Sequence, residues 1–219
     1  MGGLARPSAG SRNTALGYDS VMQITKYTHA CIRLEDAGRV LVIDPGEWSE
    51  SEAWLGAGAV LVTHEHADHI DTTRLAEAGI PVFAPAGADI EGLDATRVTS
   101  GQAFEAAGFR VTAVGGRHAY IYDGKPDCPN LGYIVEDRLY HPGDALFVPE
   151  QPIETLFVPA QGSWLKLAEA IDFVRATHPT HTHPIHDAGL SERGLASANA
   201  WFERVTDSGY RWLAPGEAA

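Results

Sequence analysis

Apolar and polar positions along this chain alternate in short blocks, and most of the blocks have the length of a strand. Apolar runs closed by Gly, Pro, Asp or Asn recur at residues 23–27, 30–35, 39–44, 59–63, 81–84, 95–100, 102–106, 109–114, 131–136, 138–141 and 155–158. Their size and Val, Ile and Leu content predict strands. Asp36-Ala37-Gly38 turns the second run into the third, and Asp137 makes a hairpin of 131–136 and 138–141. Helical patterning is rarer. Residues 50–55 read as a short helix, and residues 72–78 as a longer one that Gly79 stops. Residues 165–176 put Leu167, Ala168, Ile171 and Val174 on one face, which suits packing on a sheet. Ser191 caps a closing helix through Arg204 that ends before Gly209. A βαβ pattern that passes into antiparallel strands predicts two βα halves packed face to face.

The patterning begins at Met22. Residues 1–21 are rich in Gly, Ser, Ala and Arg, show no hydrophobic period and contain no apolar core of a secretory signal. They are expected to be a disordered leader or extension, with residues 22–219 forming one domain. The 219 residues are 44% hydrophobic and 21% charged, enough to bury a sizeable core. A formal net charge of −13 and the lack of any Lys/Arg-rich run disfavour a nucleic-acid partner. No apolar run approaches membrane-spanning length, so no membrane partner is expected. The two cysteines, Cys31 and Cys128, do not make a disulfide framework, and the cytoplasm is the default compartment.

The chemistry concentrates directly after the fourth apolar run. In Thr63-His64-Glu65-His66-Ala67-Asp68-His69, His64 and His66 are two apart and project to one side of an extended strand end. The chain then turns, and Asp68 and His69 can face a second position close by. Imidazole suits zinc, iron and copper, and a carboxylate adds affinity for harder ions such as manganese. Nothing in solvation groups these residue types together, so the stretch predicts a metal site at the carboxyl end of a strand, where open α/β sheets place ligands.

His64-Glu65-His66-Ala67-Asp68-His69 resembles the signature of the metallo-β-lactamase fold superfamily of metal-dependent hydrolases. The family's other landmarks follow in order here: an Asp before Pro-Gly (Asp44), a lone His after a strand (His118), an Asp after Gly (Asp144) and a Pro-x-His (His186). The resemblance covers nearly the whole chain after Met22 and implies an α/β, four-layer αββα sandwich. It also implies two divalent metal ions, zinc foremost with manganese or iron as alternatives. His64, His66 and His118 would hold one ion, Asp68, His69 and His186 the other, and Asp144 would lie between. Water activated between the ions would attack a small-molecule substrate, with Asp68 as the catalytic residue that orients it or passes its proton. Asp44 would orient the ligand loop by hydrogen bonds.

Thr28-His29-Ala30 is similar to the Gly-His-Ala entry of the L-ascorbate-6-phosphate lactonase-like branch, with Thr in place of Gly. His29 then either reaches the site or is a structural, hydrogen-bonded imidazole. That branch would make the substrate a small ester, lactone or phosphoester. A non-catalytic metal-binding domain and a nuclease of the same fold are the alternatives. His183 is the runner-up to His186 as last ligand, within a run of imidazoles at His178, His181, His183 and His186 that could bind metal promiscuously. His141 reads as a substrate contact or a solvated strand end. The loop after His118, with Tyr120, Tyr122, Lys125 and Cys128, is the candidate substrate loop, and Trp164 a further pocket candidate.

Overall fold

A computed structural model of the chain describes residues 22–219; the leader expected over residues 1–21 lies outside them. In chain order the elements are β1 (Gln23–Lys26), β2 (Ile32–Asp36), β3 (Arg39–Ile43), a 3-10 turn (Ser51–Trp54), β4 (Ala59–Leu61), α1 (Thr72–Ala78), β5 (Val82–Pro85) and β6 (Thr96–Val98). The second half adds β7 (Ala103–Ala106), β8 (Phe109–Gly115), β9 (Leu131–Val135), β10 (Leu139–His141), β11 (Thr155–Pro159), α2 (Leu167–Thr177), β12 (His181–Ile185), α3 (Glu192–Val205), β13 (Gly209–Tyr210) and β14 (Glu217–Ala218). They build two seven-stranded sheets, ordered β14-β1-β2-β3-β4-β5-β6 and β13-β12-β11-β10-β9-β8-β7.

The alternation of side chains along the central strands explains the layering. On β3, Leu41 and Ile43 enter the cluster between the sheets with Leu34, Leu61, Phe109, Tyr133, Val135 and Phe157. Val40 and Val42 point the other way, into a cluster with Val60, Val62, Leu75 and Val82 under α1. The second sheet repeats the device: Phe157 faces inward, while Leu156 and Val158 join Ile134, Ala170, Phe173, Val174 and Phe202 under α2 and α3. Central strands buried on both faces are covered by helices on the outside, giving the αββα sandwich that the sequence implied. Each fully buried Leu, Ile, Val or Phe contributes about 1.5–3 kcal/mol.

Helix ends follow local chemistry. Asp71 caps α1 by accepting from Arg74 N (2.9 Å), and Gly79 closes it in the left-handed region (φ 62°). Ser191 caps α3 by accepting from Gly194 N. The expected helix over 165–176 starts at Leu167 instead, because Glu169 accepts the Lys166 N–H (3.1 Å) while Leu165 is spent in a turn back to Gly162. β2 starts at Ile32 rather than residue 30, because the chain turns at His29 (φ 67°) and Tyr27 N bonds Cys31 O. The run at 95–100 contracts to β6. The two-residue edge strands β13 and β14, beside β12 and β1, are too short and too polar for hydrophobic patterning to reveal.

Four strands, β3 to β6, run parallel in the first sheet, and β10 to β13 do so in the second. The carboxyl ends of β3, β4, β10 and β12 lead into the loops bearing Asp44, His64 to His69, Asp144 and His186. Four of the five expected landmarks are thereby brought to one edge of the sandwich, and His118 reaches it from the end of β8.

Candidate metal centre

Asp44 leaves β3 with a left-handed backbone (φ 52°) that turns its wholly buried carboxylate towards β4. It accepts from Thr63 N, Thr63 Oγ1 and His69 Nδ1, each at 2.7 Å. Asp44 thus ties the end of one strand to the metal-binding loop and fixes which nitrogen of His69 faces inward. Gly46 lets the loops touch: a Cβ there would stand 2.1 Å from the Asp68 carbonyl oxygen. Backbone bonds from Glu47 N to Ala67 O and from Asp71 N to Pro45 O hold the same seam.

The expected ligands converge in three overlapping groups, the donor atoms within each lying within 4.8 Å of one another. His64, His66 and His118 form one; His29, Asp68, His69 and His186 form another; His64, His69 and Asp144 join the two. His64 Nε2 lies 3.1 Å from His66 Nδ1, and His118 directs Nε2 inward because its Nδ1 is 2.6 Å from the Ala119 carbonyl. Asp144 sits at the centre. Its Oδ2 is 3.3 Å from His118 Nε2 and 3.0 Å from His186 Nε2, and its Oδ1 is 3.2 Å from His69 Nε2.

The residues present fit divalent cations. His69 Nε2 and Asp144 Oδ1 face each other without the alignment of a hydrogen bond, so both are buried polar atoms with no partner. Burial, then the proximity of His69, drives the pKa of His64 well below the ordinary histidine value, and burial lowers that of His66, so both offer neutral imidazole. Burial opposes the charge of Asp144, but His69, His118 and His186 outweigh it and hold its carboxyl well below the carboxylate range. At His69 burial also works against charge, yet Asp144 and Asp44 raise its pKa well above normal. Negative potential therefore centres on His69 and Asp144, where a cation is favoured. Neutral nitrogens with carboxylate oxygens suit zinc, and also manganese or iron.

His29 is buried against the cluster. Its Nε2 is 3.0 Å from Asp68 Oδ2, and its ring centroid lies 4.1 Å from that of His186. The Thr that replaces Gly before it has a clear local use: Thr28 donates its N–H and hydroxyl to the two oxygens of Glu50 (3.0 and 2.6 Å), clamping the turn. Burial raises the Asp68 pKa, but the hydrogen bond from His29 and the neighbouring imidazoles outweigh it and bring the carboxyl down to about 2.

One expectation is corrected. His141 is neither a substrate contact nor solvated: it is fully buried, with Nε2 2.8 Å from Ala30 O and Nδ1 accepting from Gly143 N at 3.2 Å. It braces the His29 turn against the Asp144 turn. His183, the runner-up to His186, lies outside the three donor groups. It points away towards the C-terminal strand, with Nδ1 2.8 Å from Arg211 O, whereas His186 (φ 57°) turns into the cluster. The other imidazoles of that run separate as well: His178 is the left-handed C-cap of α2, and His181 is exposed. Tyr120 is 62% exposed on the segment after His118 and lies outside the three donor groups.

Two residues support Asp144: Asn130, which carries no sequence signal of its role, and Trp164, which the sequence marks only as a pocket candidate. Asn130 accepts from Asp144 N (2.9 Å) and donates to Pro142 O (2.8 Å), shaping the turn at Gly143, where a Cβ would meet Asn130 Oδ1 and Thr63. Trp164 donates its indole N–H to Asp144 Oδ2 (3.0 Å) and so contacts the centre directly.

The chain matches the Beta-lactamase superfamily domain over residues 23–186. It is 40% identical over 170 residues to Protein Rv0786c of Mycobacterium tuberculosis, an alignment that spans 72% of this chain and 80% of that protein. It is 30% identical over 166 residues to a UPF0173 metal-dependent hydrolase of Chelativorans sp., spanning 64% of this chain and 71% of the relative. Among solved structures, Igni18, a metallo hydrolase from Ignicoccus hospitalis, shares the fold with a TM-score of 0.71 at 18% identity, over 90% of this chain and 97% of that one. With the ordered landmarks and their convergence at one sheet edge, these likenesses place the chain in the beta-lactamase superfamily, among the UPF0173 proteins.

Proposed function

We propose that this protein is a metal-dependent hydrolase with a two-ion centre, zinc foremost, acting on a small ester, lactone or phosphoester. The observation that carries the reading is Asp144: a buried, ionised carboxylate whose oxygens face His69 on one side and His118 and His186 on the other, with Oδ1 unsatisfied. That is the placement a carboxylate shared between two cations requires. His64, His66 and His118 would hold one ion, and Asp68, His69 and His186 the other. When bound, two such ions lower the pKa of water and polarise the scissile group.

The chain's own residues supply orientation. Asp68 keeps its carboxylate ionised and is held through Oδ2 by His29 Nε2, so its other oxygen is available to accept from water and aim a lone pair. Asp44 and Thr63 fix His69, Ala119 O fixes His118, and Trp164 with Asn130 fixes Asp144. The relatives named metal-dependent hydrolases support the reaction class. The test is turnover of ester, lactone and phosphodiester probes by zinc-loaded protein, by chelator-treated protein and by His64→Ala. Hydrolysis that disappears in both treated samples is the expected result. Equal turnover in all three would sink the reading.

A further inference from the structure

The site's surroundings are apolar and aromatic on three sides. Trp48, in the loop after Gly46, sets its ring edge-on to His29 with centroids 4.8 Å apart, and half its surface is open. Trp164 stands 6.0 Å from the His118 ring and 6.2 Å from the His186 ring. Its indole occupies space that Gly162 leaves free, since a Cβ there would lie 2.8 Å from Trp164 Nε1. Trp48, His29, His186, Trp164 and His118 therefore form an unbroken row of rings across the centre.

The third side is a hairpin rooted in the site. The chain leaves at His118, whose N–H bonds Cys128 O, and Ala119 N bonds Asp144 O. Cys128 Sγ lies 3.9 Å from His66 Nε2 where the hairpin returns. Between them, Tyr122 and Lys125 exchange backbone hydrogen bonds around Asp123-Gly124, both at positive φ (48° and 74°), the signature of a tight type I′ turn. This built hairpin holds Tyr120, Ile121 and Tyr122 in solvent next to the centre. Large exposed apolar side chains grouped beside a reactive site mark a contact surface.

Among the described residues, no Lys or Arg side chain pairs with the donor groups. Besides Asp44 and Thr63, which brace His69 and His64, the side chains seen against the donor groups are Trp48, Cys128 and Trp164, none of them cationic. Arg117 is paired with Asp127, Lys26 behind His186 with Asp187, and Lys125 is exposed in the hairpin turn. Recognition of a phosphate normally enlists arginine forks or free ammonium groups.

From this row of rings and its hairpin the geometry points to an uncharged carboxylic ester or lactone bearing a long alkyl or aryl group, which lies along Trp48, Trp164 and Tyr120 to Tyr122. In the reaction, water adds to the acyl carbon, the bond from that carbon to the alkoxy oxygen breaks, and the departing oxygen takes up a proton. Turnover rests on the hydrolase reading above; the recognition of the apolar group does not.

The experiment therefore reads both. On metal-loaded protein, kcat/KM is measured for 4-nitrophenyl acetate, butyrate, hexanoate and octanoate and for bis-4-nitrophenyl phosphate. Binding of the matching non-hydrolysable methyl ketones is followed by tryptophan fluorescence. Affinity should rise by up to roughly fourfold per methylene until the surface is covered, and the phosphodiester should be the poorest substrate. Trp48→Ala and the outward Tyr122→Ala should each reduce the octanoate-to-acetate ratio severalfold while bound metal per chain stays unchanged. If no ester is turned over but ketone affinity still climbs with length, the hydrolase reading fails and the apolar surface stands. Flat ketone binding, or preference for the phosphodiester, overturns the inference. So does a change of oligomeric state in Tyr122→Ala with the length dependence intact, which would assign the patch to a second copy of the chain.

Discussion

Single atoms decide most of the centre's properties. Asp44 is wholly buried, and its oxygens align Thr63 and His69 at once. Asp44→Asn turns one of those acceptors into a donor and should weaken zinc binding about tenfold to a hundredfold, measured by competition with a chromophoric chelator. Glu50 gives a prediction in pH. Burial raises its pKa, but the two hydrogen bonds from Thr28 outweigh it, so the folded value lies below the ordinary 4.5. A depressed carboxyl stabilises the fold above its unfolded pKa and loses that contribution as pH falls through the folded value. Urea unfolding should therefore show wild type more stable than Glu50→Gln at pH 7, by about 1 kcal/mol, with the gap closing below about pH 4. At this scale the sequence is legible where order and spacing are informative: Asp44, the His64 to His69 run, His118, Asp144 and His186 all reach one edge. It is illegible where a role depends on distant partners. His141 looks like a strand-end imidazole until Ala30 and Gly143 are seen against it, and Asn130 and Trp164 have no local pattern at all.

Strand ends and turns translate those atoms into position. Gly46 is a contact point between two loops, so Gly46→Ala must push the Asp68-His69 peptide away from the Asp44 turn. Loss of metal from the Asp68, His69 and His186 position is expected, with the far-UV circular dichroism preserved; full metal content in this variant would contradict the placement. β1 and the segment after β12 are joined by Lys26, wholly buried, whose Nζ is 3.0 Å from Asp187 Oδ1, while Trp212 Nε1 donates to Oδ2. Lys26→Met leaves a buried carboxylate without its cation and should cost about 3–5 kcal/mol in urea unfolding. Adding Asp187→Leu should restore only part of that, because Trp212 then lacks its acceptor. Strand alternation and the caps at Gly79 and Ser191 are readable from sequence because they are set within a few residues. The edge strands β13 and β14 are not, since pairing across the sheet rather than composition creates them.

The whole molecule is two sheets meeting along a hydrophobic interior, with the donor groups confined to one rim. A centre assembled from β3, β4, β8, β10 and β12 exists only when both sheets are packed, so metal binding and folding are coupled. Saturating zinc should raise the unfolding midpoint, and the rise should grow with free zinc concentration. The net charge of −13 is spread over a fold whose rim nonetheless gathers six of its ten histidines, with His141 bracing them from behind, and bound cations would reverse the sign there. Elemental analysis of zinc-loaded protein tests whether Asp144 is shared between two ions, as proposed. Wild type is expected to hold about two equivalents per chain, with a fall to about one or fewer in Asp144→Ala at unchanged secondary structure. Two equivalents retained by Asp144→Ala, or no metal taken up by wild type from zinc or manganese, would contradict it.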